Sequence, residues 1–140
     1  MNKTKQFEFL DHTSEAKFRA YGKTLEECFK NSAKALFSIM VDLDKVKPKL
    51  NFTFEVEGED LKSLLFDFLE ELIILKDSEG FLLKEIKVEI NQKDNKLKAN
   101  CSGDKIGSYE TGADVKAVTY DEMKVEENNE GWLVQVVVDV

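Results

Sequence analysis

The chain has little of what most enzyme chemistries require: one histidine, two cysteines, one proline and one tryptophan in 140 residues. His12 is the sole imidazole, which excludes an HExxH zinc helix and a cysteine nucleophile paired with a downstream histidine. No GxSxG elbow is present. Gly103, Gly107 and Gly112 form neither GxGxxG nor GxxxxGK[ST], and no helix pattern follows them, so a mononucleotide cradle is not expected. Cys28 lies in a helical apolar pattern and Cys101 in a strand-like one, with no CxxC spacing, so both read as buried free thiols. No apolar run approaches the roughly 20 residues of a membrane helix. Met1 to Phe7 is polar and lysine-bearing, without the apolar stretch of a signal peptide, and the expected location is the cytoplasm.

What is present suits one globular domain, 1–140. Hydrophobic residues make up 42% and run along the whole length, enough for a core at this size. The formal net charge of -8 argues against gripping a phosphate backbone directly. RNA, if involved, is held by something else.

Phe7 and Phe9 on one side, and Phe18, Ala20 and Tyr21 on the other, predict two strands around a polar loop from Asp11 to Lys17. Thr24 stands where an N-cap belongs, with Glu27 three residues on, and Leu25 to Met40 carries a 3.6-residue apolar period. Pro48 lies beyond the end of that helix. Phe52, Phe54 and Val56 alternate as a strand, and Asp60 caps a second helix with a wide apolar stripe from Leu61 to Leu75. From Gly80 onward the pattern is strands: Phe81 to Glu89, Leu97 to Cys101, Val115 to Val125 and Trp132 to Val138. Neighbouring segments are expected to pair as antiparallel hairpins. The fold class is α+β: two helices on a mostly antiparallel or mixed sheet with a strand-rich C-terminal half, its strand order open.

Two places could carry chemistry. Asp11, His12 and Glu15 put carboxylates beside an imidazole, a set able to bind a metal or move a proton, though an acidic loop is also simply a solvated one. The last strand runs into Asp139 and Val140, bringing an Asp side chain, a backbone carbonyl and an α-carboxylate together as hard oxygen donors. The bland reading is that Asp139 blunts a sheet edge. Lys116 interrupts an apolar strand, so its ammonium must reach water, a carboxylate or a phosphate.

Five stretches taken together resemble the archease family: Asp11-His12-Thr13, Ala20 to Glu27, Glu57 to Leu61, Val115 to Tyr120, and Val138-Asp139-Val140. They span nearly the whole chain in order. The resemblance implies an archease fold and a non-enzymatic activator of an RtcB-type RNA ligase. Such a helper promotes ligase guanylylation and multiple turnover in tRNA splicing and RNA repair, and meets RNA only through the ligase. It also implies a divalent-cation site, often filled by calcium in crystals and by Mg2+ or Mn2+ as alternatives in the cell, on Asp11, Asp139 and Val140. His12, Glu15 and Lys116 are accessory or partner-contact residues on the same basis, with Lys116 touching the ligase or a phosphate.

Three departures stand out. Glu15 replaces the usual aspartate, Lys105 to Thr111 lacks an Arg-His pair, and Asp121 stands where a histidine is common. Other readings are a chaperone-like modulator of an RNA-modifying enzyme such as a tRNA methyltransferase, and a small metal-dependent hydrolase using Asp11, His12 and Asp139. No membrane partner is expected, and the chain is read as a monomer or weak oligomer.

Overall fold

The computed structural model describes residues 5–12 and 15–140. Thr13, part of the first family-like stretch, lies outside the described residues.

The elements run β1 (Phe7–Leu10), β2 (Ala16–Gly22), α1 (Leu25–Ser38), β3 (Leu50–Glu57), α2 (Leu61–Glu79), β4 (Phe81–Asn91), β5 (Lys96–Lys105), β6 (Ala117–Asn128) and β7 (Gly131–Asp139), with short 3-10 turns at Leu43–Lys45 and Ile106–Ser108. The α+β class holds. The strands divide into two antiparallel sheets, ordered β1-β2-β7-β6 and β3-β5-β4. Hairpin pairing of sequence neighbours therefore applies to β4-β5 and β6-β7 but not to β5 and β6, which belong to different sheets.

Both helices start where their caps lie. Thr24 Oγ1 accepts from the Glu27 amide at 3.1 Å, while the Glu27 carboxylate accepts from Lys23 N at 2.7 Å, one residue outside the cap. Asp60 accepts from Ser63 N at 2.8 Å and Ser63 Oγ from Asp60 N at 3.1 Å, a reciprocal box that uses serine in place of glutamate. Gly80 ends α2 with φ +64°, a left-handed turn that glycine adopts without steric cost. α1 stops at Ser38, two residues short of Met40, which is buried all the same.

Helices and sheets share one core, threaded by aromatic rings. Phe68 of α2 lies between Phe29 of α1 at 5.6 Å and Phe54 of β3 at 6.1 Å, and Phe81 of β4 meets Phe52 and Phe37 at 5.3 and 6.3 Å. Each pair adds to the area term that dominates burial of such rings. β3 alternates half-buried and exposed positions along its length, as a strand with one covered face must.

β7 differs, being buried without a break from Val134 to Val138. It is central, with β2 on one side and β6 on the other. Val134, Val136 and Val138 belong to the core cluster, whereas Gln135 and Val137 point to the opposite face and are buried there too. Beside β7, strand β6 is irregular. Thr119 pairs with Val137 and Lys124 with Gln135, so the four residues 120–123 stand opposite Val136 alone. The expected uninterrupted strand from Val115 to Val125 thus begins at Ala117 and bulges in its middle.

Candidate functional site

The bulge is built into place. Glu122 has φ +53°, a left-handed conformation uncommon for a side-chain-bearing residue. Its carbonyl accepts from Nε2 of buried Gln135 at 2.7 Å, and Gln135 Oε1 in turn accepts from Arg19 Nε at 2.9 Å. Thr119 Oγ1 donates to the Val137 carbonyl at 2.8 Å and accepts from Asp121 N at 3.3 Å. Backbone strain held by a buried side chain marks a position whose geometry matters.

At the end of the β1-β2-β7-β6 sheet, three chain segments deliver acidic and imidazole groups to one place. Ala16 pairs with Val138 and Ala117 with Asp139, so Glu15 and Asp139 extend adjacent strands side by side. His12 arrives from the β1-β2 connection and Asp121 from the bulge. Ligand-type atoms of His12, Glu15 and Asp121 all lie within 4.8 Å of one another. Burial, and next the Asp139 side chain lying against it, raise the Glu15 pKa, with His12 opposing. Two carboxyls in such contact favour a shared proton or cation between them.

His12 is clamped. Its Nε2 lies 3.1 Å from Glu122 Oε2, and Lys17 Nζ donates to Glu122 Oε1 at 2.9 Å. The Lys17 bond first, then His12, holds the Glu122 pKa below its ordinary value. Nδ1 is enclosed 3.4 Å from Glu15 Oε1 without a hydrogen-bond partner among the described residues, and in a neutral ring that donates Nε2–H to Glu122 it is the nitrogen that bears the lone pair. A lone pair facing a carboxylate is repulsive unless a proton or cation intervenes. Oxygen donors with one imidazole fit a divalent ion, and the group offers no thiolate.

The other expected residues are placed as follows. Asp11 is exposed immediately before His12, and Val140, 40% exposed, follows Asp139. Lys116 is exposed, and its backbone amide donates to the Asp139 carbonyl at 2.8 Å. Buried Lys76 of α2 fixes the residues before it, donating to Asp114 Oδ1 at 2.5 Å and to the Val115 carbonyl at 3.1 Å. Burial pulls the Lys76 pKa down, but hydrogen bonds with Asp114 and Asp77 outweigh it and the net shift is upward.

Sequence reasoning had Asp121 only as a departure and did not reach Glu122, Gln135 or Lys17. The available signal was parity. Val118 and Met123 are both buried but five apart, which a regular strand of period two cannot produce.

The α+β fold of two antiparallel sheets and two helices is shared with known relatives. The archease protein family (MTH1598/TM1083) matches residues 7–140. The chain is 44% identical to the protein archease of Pyrococcus furiosus, across 97% of this chain and 99% of that one. It is 37% identical to the protein archease of Methanosarcina barkeri, across 97% of each. The solution structure of Methanobacterium thermoautotrophicum protein 1598 superposes with a TM-score of 0.85 at 37% identity, covering 96% of this chain and 98% of that one. The crystal structure of an archease, possible chaperone, from Thermotoga maritima shares the fold with a TM-score of 0.64 at 23% identity, covering 94% of each. The chain belongs to the archease family.

Proposed function

We propose that this archease is a non-catalytic protein cofactor of an RtcB-type RNA ligase, promoting guanylylation of the ligase and its multiple turnover in tRNA splicing and RNA repair. The observation that carries the reading is the convergence of His12, Glu15, Asp121 and Asp139 from three chain segments onto one sheet end, with an enclosed His12 Nδ1 aimed at a carboxylate. These residues would hold a divalent cation, with Asp11 and Val140 as further donors on the family resemblance and Ca2+, Mg2+ or Mn2+ as the ion. A bound cation there offsets carboxylate repulsion and can neutralise charge developed during nucleotidyl transfer in the partner.

The protein's own residues set the geometry. Glu122 and Lys17 orient the His12 ring, Gln135 holds the bulge that presents Asp121, and the Lys116 amide fixes Asp139. Lys116 is exposed and is joined to Asp139 through its backbone amide, and its ammonium would reach the ligase or a phosphate. RNA is met only through the ligase, in keeping with the net charge of -8. No helix among the described residues is long and apolar enough to cross a membrane, and the cytoplasm is the location proposed.

The test is multiple-turnover joining of RNA with 2′,3′-cyclic phosphate and 5′-hydroxyl ends by the cognate ligase, with GTP and divalent metal. Wild type raises product beyond one equivalent of ligase, Glu15→Ala and Asp139→Ala do not, and the protein alone joins nothing. Equal stimulation by all three would retain the partner and remove the acidic tip from the account. Absent stimulation would move the reading to a chaperone-like modulator of an RNA-modifying enzyme; the Thermotoga maritima relative is itself called a possible chaperone.

A further inference from the structure

Away from the metal-type cluster, the β6 bulge presents an aromatic ring to solvent. Tyr120 stacks on Phe66 of α2 with centroids 4.3 Å apart and planes within 8°, yet remains 53% exposed. Phe66 covers one face of the phenol ring and the other is open. The neighbourhood is acidic, because Glu59 and Asp60 come from the start of α2 and Asp67 from its second turn. Burial, and then Asp67, Asp60 and Glu59 in that order, raise the phenol pKa.

We infer that the Phe66–Tyr120 stack, in the negative field of Glu59, Asp60 and Asp67, is a docking platform for an arginine carried on a basic segment of a partner protein. Charge complementarity selects the occupant. A guanidinium lies flat on an aromatic face while its fork reaches a carboxylate, whereas an ammonium is a compact, strongly hydrated point charge. Bases also stack on exposed aromatic rings, but their phosphates would meet three carboxylates on a chain of net charge -8. A second copy of this chain is a poor source, since its one arginine, Arg19, is half-buried and donates to Gln135 at 2.9 Å.

Tyr120 immediately precedes Asp121 in the β6 bulge, so the platform and the acidic tip are neighbours along the chain. The platform and the tip share one bulge but no side chain, and the inference does not depend on which protein carries the segment.

The experiment is an NMR titration of the full-length protein with an acetylated, amidated peptide of four arginines spaced by glycines, its all-lysine counterpart, and a single-stranded RNA decamer. The arginine peptide should bind more tightly than the lysine peptide and shift the Tyr120 and Phe66 ring resonances first. Tyr120→Phe should retain the preference. Tyr120→Leu keeps an apolar cover over Phe66 but removes the π face, and should weaken arginine-peptide binding by about two- to thirty-fold. Asp139→Ala should leave it unchanged. Equal affinity for the two peptides, wild-type affinity in Tyr120→Leu, shifts centred on Asp139, or preferential binding of the RNA at these rings would each overturn the inference.

Discussion

The Lys116 backbone amide donates to the Asp139 carbonyl at 2.8 Å, one step beyond the Ala117–Asp139 pair that opens the β6-β7 ladder. Lys116 and Asp139, which flank the open end of the last hairpin, are thus joined by main chain. Lys76 anchors the segment just before this bond through Asp114 and the Val115 carbonyl.

Replacing that anchor should loosen the tip without touching it. Lys76→Met strands the Val115 carbonyl in the interior, which costs roughly 1–3 kcal/mol. Urea unfolding should show the loss, and stimulation of the ligase should fall in the same variant. Full stimulation would mean that Lys76 is structural only.

Phe68 should be among the costliest positions. It is fully buried between Phe29 and Phe54, and Phe68→Ala should destabilise by roughly 3–5 kcal/mol through lost transfer energy and an unfilled cavity. Denaturant midpoints at unchanged slope would check it.

The two thiols should be silent in the native protein. Burial pushes Cys28 and Cys101 up to about 12, so neither supplies thiolate at pH 8. A disulfide-exchange reagent should modify neither in buffer and both in guanidinium.

Some of this was legible in residues alone. Thr24 and Asp60 announce both helix starts because a cap is a local interaction, complete within three or four residues. The division into two sheets is not local. It depends on β2 reaching across the chain to β7, and nothing in either strand's alternation names the other as its partner. The site was half legible. His12, Glu15 and Asp139 stand out by residue type, whereas Asp121 joins them only because four residues bulge opposite Val136, and the Gln135 that holds the bulge sits inside a run of valines.

Stability should fall in acid through carboxylates used as acceptors. Asp104 is buried, and the hydrogen bond from Tyr109 Oη at 2.6 Å, then that from Lys105 N, hold its pKa below the ordinary 3.8. A folded pKa below the unfolded one means the native state binds fewer protons. The stabilisation is therefore complete above the ordinary value and lost as pH falls through the lower, folded one. Asp104→Asn should flatten the dependence of melting temperature on pH in that window and leave the neutral region's slope unchanged. An unaltered profile would assign the acid sensitivity to Glu8, Asp60 and Glu122, whose values are also lowered.

The most direct test of the central claim isolates one step, formation of the ligase–GMP adduct from GTP under single-turnover conditions. Wild-type protein should accelerate adduct formation and form none itself, while Asp139→Ala, folded and as stable as wild type, should leave the ligase at its unassisted rate. Acceleration by Asp139→Ala equal to wild type would contradict an activator that works through its acidic tip.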